Sequence, residues 1–285
     1  MKTLFLALVS LFALGDPGAN AHNNWRTLTA TRARGTTDSL HVVLRYDAGN
    51  VSIVAAAAPL LYDAKARFDA TQQRISRSYD ATSRTLRIGL DSSTMQRAAR
   101  HSRHARDREG FLDLGLASGI PLDLDLDLGT TRAKIDLSSL WVSTMRVSSG
   151  TTETELTFGS ANPQPMRDLF VDAGVGSITI HQLGNAHAQR TTIASTVGDV
   201  DLDVGGDWTG DLPITLRVAL TSTTLRVPRD AGIALHLAQR ISTVDTDGFT
   251  ERDGVMYSAG YEQAKRHVVI DGSATLATVD VVWKD

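Results

Sequence analysis

The sequence predicts an all-β protein, a single-stranded β-helix (β-solenoid) of stacked short strands, and three observations lead there. A six-residue word recurs: Ala48-Gly-Asn-Val-Ser-Ile53, Val175-Gly-Ser-Ile-Thr-Ile180, Val197-Gly-Asp-Val-Asp-Leu202, Leu220-Thr-Ser-Thr-Thr-Leu225, Ile241-Ser-Thr-Val-Asp-Thr246 and Leu276-Ala-Thr-Val-Asp-Val281. Its last three positions alternate with the period of two that a half-buried strand requires. The copies at 175, 197, 220 and 241 begin 22, 23 and 21 residues apart, a spacing steady enough for successive coils. Sustained helical spacing of apolar residues is missing outside the N-terminus. The alternative architecture is an antiparallel β-sandwich, in which short strands with Gly/Asp turns also recur.

The elements follow in chain order. Met1 and Lys2 form a short positive end, Leu4 to Leu14 an eleven-residue apolar run, and Ala19-Asn20-Ala21 a small-x-small cleavage pattern, so residues 1–21 are expected to be a secretory signal peptide. Eleven residues reach about 16 Å as a helix, half a bilayer core, so no transmembrane span is expected in the mature chain. Localisation is therefore expected to be export, to the periplasm or the outer cell envelope.

Residues 22–93 read as an N-terminal β segment, with one strand pair around Asp47-Ala-Gly-Asn50 and another around Asp80-Ala-Thr-Ser83. Residues 94–110 form a basic loop without alternation. From 111 to 285 strands are nearly continuous, interrupted at Pro163 and Pro165, with a late turn at Asp253-Gly254. Looser copies of the word run from Asp127 to Leu137 and from Val147 to Phe158, each led by a glycine turn. In this solenoid the inner column takes Val175, Ile178 and Ile180, then Val197, Val200 and Leu202, then Leu220 and Leu225, while Asp, Thr and Ser face out. Thr223 and Thr246 are weak inner positions.

Composition narrows the chemistry. The 285 residues include no cysteine, which excludes disulfides, thiolate metal sites and a cysteine nucleophile. Lys and Arg number 29 against 32 Asp and Glu, a net charge of −3 that gives no reason to expect nucleic-acid binding. Leu alternates with Asp123, Asp125 and Asp127, placing three carboxylates on one face, where Ca²⁺ binding and a solvated edge-guarding face are the competing readings. Asp136, Asp201 and Asp203 are expected on an outer face in nearby coils. The segment RAARHSRHARDR concentrates Arg97, Arg100, Arg103, Arg106 and Arg108, a candidate contact for an anionic polymer. His101 and His104 as a metal pair are opposed by the surrounding guanidinium charge. Trp25, Trp141, Trp208 and Trp283 are widely spaced, as expected for coil corners and solenoid ends. The G-x-S-x-G elbow, Walker loop, dinucleotide fingerprint and H-E-x-x-H are missing from the sequence, so no catalytic residue, metal ligand or cofactor is assigned.

Four phrases carry a family resemblance: Leu122-Asp-Leu-Asp-Leu-Asp-Leu-Gly129, Val171-Asp-Ala-Gly-Val-Gly-Ser-Ile178, Val197-Gly-Asp-Val-Asp-Leu-Asp-Val-Gly-Gly206 and Leu225-Arg-Val-Pro-Arg-Asp230. The stretch from about Leu122 to Trp283 resembles the putative-adhesin, or toast-rack, domains of bacterial envelope proteins, and the C-terminal domain of cell-wall-active antibiotic response proteins. The resemblance implies a β-helix without an established enzymatic activity, displayed at the envelope as a scaffold or sensor-associated module. Members of the antibiotic-response type carry transmembrane helices, whereas this chain shows only the N-terminal apolar run. The expected function is an exported, non-enzymatic, adhesin-like module, with an envelope protein or cell-surface polymer as partner. A carbohydrate-active β-helix enzyme such as a polysaccharide lyase is the alternative.

Overall fold

The computed structural model describes residues 24–71, 73–92, 110–240, 242–244 and 248–284. The expected leader at 1–21, Ile241, Thr246 and the arginines at 97, 100, 103, 106 and 108 lie outside the described residues. The described strands are β1 (Trp25–Ala33), β2 (Leu40–Ala55), β3 (Leu60–Asp69), β4 (Gln73–Asp80), β5 (Thr85–Ser92) and β6 (Phe111–Leu116). They continue as β7 (Pro121–Asp136), β8 (Trp141–Thr157), β9 (Asp168–His181), β10 (Thr191–Asp203), β11 (Gly210–Val218) and β12 (Thr221–Pro228). Last come β13 (Ala231–Arg240), β14 (Thr243–Val244), β15 (Phe249–Arg252), β16 (Val255–Ser258), β17 (Arg266–Thr275) and β18 (Thr278–Lys284).

A coil is either one long strand bent near its middle or two short strands meeting at a corner. Two sheets therefore share one bent edge and face each other across the core. Along the stack the coils run β5/β6, β2, β7, β8, β9, β10, β11/β12, β17/β18 and β13/β14, every neighbour parallel. The parallel course sets aside the sandwich and gives the predicted β-solenoid. Parallel stacking joins like positions into columns, as the alternation requires. One column of the second sheet passes through Leu114, Ile53, Ile135, Leu156, Ile180, Leu202 and Leu225, all nearly inaccessible to solvent. Fully burying such a side chain stabilises by about 1.5–3 kcal/mol, so these columns are the main source of cohesion between the two sheets.

Three expectations need correction. The segment around Asp47–Asn50 is not a strand pair but the corner of the single strand β2, whose two halves both continue onto β7. The word's first residue does not face inward: Val175 is 46% and Leu220 55% exposed. At Gly176 and Gly198 φ reaches 128° and 130°, a conformation that turns the chain around the corner and breaks the period of two. Residues beyond the turn, Ile178, Ile180, Val200, Leu202 and Leu225, are buried as expected. Finally, chain order is not stack order. The coil of β17 and β18 inserts between β11/β12 and β13/β14, so these two coils, consecutive in the chain, are not adjacent layers. At the other end β2 lies between β5/β6 and β7 in the same manner.

Antiparallel strands close both ends. β4 adds to β5, β3 to β6 and β1 to β3, while β16 adds to β13 and β15 to β16. Such additions satisfy backbone groups that a terminal coil would otherwise expose. The predicted turns at Asp80–Ser83 and Asp253–Gly254 are the β4–β5 and β15–β16 hairpins.

Thr223 is a weak point of the core. It is fully buried in the column Ile178, Val200, Thr223, Val279, and its hydroxyl has no partner among the described residues. Thr154, in the same column, instead shares a 3.0 Å hydrogen bond with Thr152. Replacing Thr223 by the isosteric Val removes an unmade hydrogen bond and is expected to stabilise the fold by about 1–2 kcal/mol. A rise in the urea midpoint checks this, and an unchanged or lower midpoint contradicts it.

Candidate binding surface

Each strand of a coil has one apolar face spent on the core, so chemistry is confined to the outer faces, the corners and the ends. On the outer face of the first sheet two columns set a carboxylate beside a guanidinium of the next layer. Asp123, Asp125 and Asp127 of β7 do share one face, with Leu122, Leu124, Leu126 and Leu128 buried between them. Across the stack Asp127 lies opposite Arg45 of β2, Asp125 opposite Arg146 of β8, and Asp123 between His41 and Thr144. Opposite charges directly across a ladder stabilise the pairing of adjacent layers.

The same row borders a shallow groove of about 450 Å³, to which β7, β8, β9 and the residue before β10 contribute Asp123, Asp125, Arg146, Asp168, Phe170 and Arg190. Asp123 accepts a 2.5 Å hydrogen bond from Thr144 and stands 3.6 Å from the Arg167 guanidinium. Arg190 donates twice to Asp168, at 2.6 and 3.0 Å, and these bonds hold the Asp168 carboxyl below its usual range. A carboxylate held this way stays ionised and is a poor proton donor at neutral pH. The Arg146 guanidinium stacks 4.5 Å from the Phe170 ring centre. The groove thus gathers acids and cations as the enzyme alternative requires, but Asp123 and Asp168 are already engaged with partners in adjacent coils.

Asp136, Asp201 and Asp203 lie on the second sheet, away from this row. Arg226 binds Asp201 through three hydrogen bonds of 2.7–3.1 Å, and Lys284 reaches Asp203 at 2.7 Å. Arg132 meets Glu153 at 2.7 Å and Lys134 meets Glu155 at 3.5 Å, again between adjacent layers. No grouping of three or more His, Asp or Glu able to hold a metal occurs among the described residues.

The arginine segment lies outside the described residues, but both of its flanks lie within them. Ser92 ends β5, and the Gly110 carbonyl accepts a hydrogen bond from the Asn50 backbone N–H just beyond the β2 corner. These flanks lie at the corner between β5 and β6. Of the tryptophans, Trp25 lies in the N-terminal cap, Trp283 in the penultimate coil and Trp208 in a return loop, buried under Arg266, whereas Trp141 opens β8 in the middle of the stack.

Two features correspond to no sequence motif. Asn162 and Asn185 sit in successive return loops, both 6% exposed, and satisfy backbone groups of neighbouring coils. Their separation of 23 residues equals one coil and is the signal by which they are recognisable. The second is an aromatic and arginine cluster in the N-terminal cap. Tyr62 and Tyr79 lie 6.2 Å apart, Arg32 stacks 4.1 Å from the Tyr79 ring, and Arg77 donates to the Tyr62 hydroxyl at 2.9 Å.

No curated protein matches the chain. The solved structures it is similar to include a "putative cell adhesion protein" from Clostridium sporogenes ATCC 15579, at 13% identity and a TM-score of 0.49, covering 92% of this chain and 100% of that one. A "putative adhesin" from Bacteroides fragilis NCTC 9343 follows at 11% identity and a TM-score of 0.40, covering 93% and 100%. The family model for the N-terminal domain of toast_rack matches residues 21–181, more than half of the chain. This match takes in the N-terminal β segment and the first parallel coils, overlapping the resemblance seen from Leu122 onward as far as His181. The chain belongs to the toast-rack family.

Proposed function

We propose that this protein is an exported, non-enzymatic, adhesin-like module of the cell envelope, linked to envelope stress, that holds its partner against rigid outer coil faces. The observation that carries this reading is the way the outer charges are spent. Asp123, Asp168, Asp201 and Glu153 bind hydroxyl or guanidinium groups of adjacent coils, which fixes a firm, patterned surface and leaves little for proton transfer. Membership of the toast-rack family supports the same reading. Export follows from the leader at 1–21, and the periplasm or the outer envelope is the destination.

Arg97, Arg100, Arg103, Arg106 and Arg108 are proposed to contact an anionic cell-surface polymer. Five added positive charges on one short segment raise the local concentration of a polyanion at modest ionic strength. Replacing all five by Gln is expected to release the protein from washed envelope fractions at physiological salt, while the wild type is retained. Equal retention of the variant contradicts the arginine contact. Release of unsaturated sugar from an acidic polysaccharide by the purified protein contradicts the non-enzymatic reading and assigns the Asp123 groove to catalysis.

A further inference from the structure

The N-terminal cap holds three arginines on aromatic groups without an ion pair among the described residues. On the outer faces of the solenoid, arginines such as Arg132, Arg190 and Arg226 are matched by carboxylates one layer away. In the cap Arg32, Arg77 and Arg67 are held by aromatic groups instead. Arg32 lies flat on Tyr79 at 4.1 Å, Arg67 stacks 4.9 Å from the Trp25 ring centre, and Arg77 is bound to the Tyr62 hydroxyl. None of the three forms an ion pair among the described residues.

The acids nearby are engaged elsewhere or stand apart. Asp80 binds Ser83 and Thr82, which holds its carboxyl below the usual range, Asp38 pairs with Arg84, and Asp69 binds Thr71. Asp63 and Asp91 make no ion pair with these arginines. Charge is also unevenly distributed along the chain. Residues 24–92 carry ten Lys and Arg against six Asp and Glu, whereas residues 110–284 carry thirteen against twenty-two.

A guanidinium stacked on a ring keeps its planar edge of N–H donors free, and that edge matches a carboxylate or phosphate bidentately. Because the ring already fixes the side chain, less freedom is lost on binding than for an unrestrained lysine. β1 and β3 belong to the cap of one sheet and β4 to the cap of the other. The Tyr62–Tyr79 contact brings them together, with Arg32 on one tyrosine and Arg77 on the other. Arg32, held flat on one ring, and Arg77, which spends one N–H on Tyr62 and keeps its others, suit a ligand that repeats its negative groups. We propose that the N-terminal cap is a binding site for an anionic polymer, in which Arg32 and Arg77 grip successive phosphate or carboxylate groups. The inference rests on the envelope reading for the source of that polymer, and on the cap geometry for the site.

The test is binding of the full chain to inorganic polyphosphate and to polygalacturonate, followed by calorimetry at low ionic strength. Arg32→Gln with Arg77→Gln is expected to weaken binding at least about tenfold, one or two charge-assisted contacts' worth. Arg32→Lys with Arg77→Lys is expected to weaken it nearly as much, since lysine keeps the charge but neither forks nor stacks flat. Thermal midpoints recorded alongside, with Arg77→Lys alone as a milder variant, keep loss of folding separate from loss of binding. Binding of polyphosphate alone assigns phosphate, and binding of polygalacturonate alone assigns carboxylate. Binding of neither polymer by the wild type overturns the site, as does full affinity in either double variant. If only the variant neutralised at 97, 100, 103, 106 and 108 loses the polymer, the cap site falls and the segment contact stands. Loss confined to the cap variants upholds the cap site and removes the segment contact.

Discussion

Gly198→Ala is expected to cost at least about 4 kcal/mol, or to prevent folding altogether. Gly198 has φ at 130°, and a Cβ there falls 1.8 Å from the Gly176 carbonyl oxygen of the layer beneath. A separation that short is inside any contact distance, and the neighbour is backbone, which cannot rotate away. The corner must open, and with it the ladder that joins β9, β10 and β12 in register. Gly210→Ala is the matched comparison, because its φ is also positive, at 74°, but no atom lies within 4 Å of the added carbon. It is expected to lose only about 1–2 kcal/mol, the intrinsic strain of a left-handed residue. Thermal melts of both proteins check the pair. At about 2–4 °C per kcal/mol for a chain of this size, the midpoints are expected to differ by roughly 4–12 °C, and equal midpoints contradict the proposed clash.

Asn185→Ala is expected to have the second largest effect. The Asn185 side chain donates to the Phe158 carbonyl at 2.6 Å and accepts from the Asp207 backbone N–H at 2.7 Å. It thereby ties three successive return loops together from a position 6% exposed. Truncation leaves both partners buried and unpaired, at about 1–3 kcal/mol each, so a loss of roughly 3 kcal/mol is expected. Asn185→Asp keeps the acceptor for Asp207 but sets a carboxylate oxygen against the Phe158 carbonyl, where two acceptors repel, and is expected to be at least as destabilising as Ala. Urea unfolding of the three proteins tests the order, and an aspartate variant clearly more stable than the alanine variant contradicts it.

The legible and illegible parts of the fold separate on physical grounds. Strands such as Leu122–Leu128 are apparent in one dimension because burial alternates with a period of two and leaves its mark on every second residue. Corners are not, since Asp47-Ala-Gly-Asn50 and Asp80-Ala-Thr-Ser83 carry the same kinds of turn residue. In the first the chain turns and runs on beside a parallel neighbour, and in the second it reverses against itself. Only contacts remote in sequence distinguish them. Coil length is visible in the 22-residue spacing from 175 to 197, but spacing reports how long a coil is and not which coil lies next to it. The insertion of β17 and β18 therefore has no local signal, although the word at 276 is one of the six copies.

The same division applies to the candidate surface. That Asp123, Asp125 and Asp127 share a face follows from alternation alone. That Arg45 and Arg146 stand opposite them depends on register between strands some twenty to eighty residues apart. The Arg32, Tyr62, Tyr79 and Arg77 cluster draws on three strands and has no spacing by which to recognise it.

The order of the stack is the claim on which the columns, the charge ladders and the inserted terminal coil depend. The natural absence of cysteine makes it directly measurable. Thr215 of β11 and Asp271 of β17 are in register in adjacent layers, about 4.8 Å apart, as are His236 of β13 and Asp271. Thr215 and His236 are then two layers apart, at about 9.6 Å. Paired cysteines at 215 and 271 are expected to cross-link rapidly under mild oxidation, and those at 215 and 236 are expected to remain reduced. Rapid cross-linking of 215 to 236, with 215 and 271 left free, would place β11 beside β13 and contradict the inserted coil.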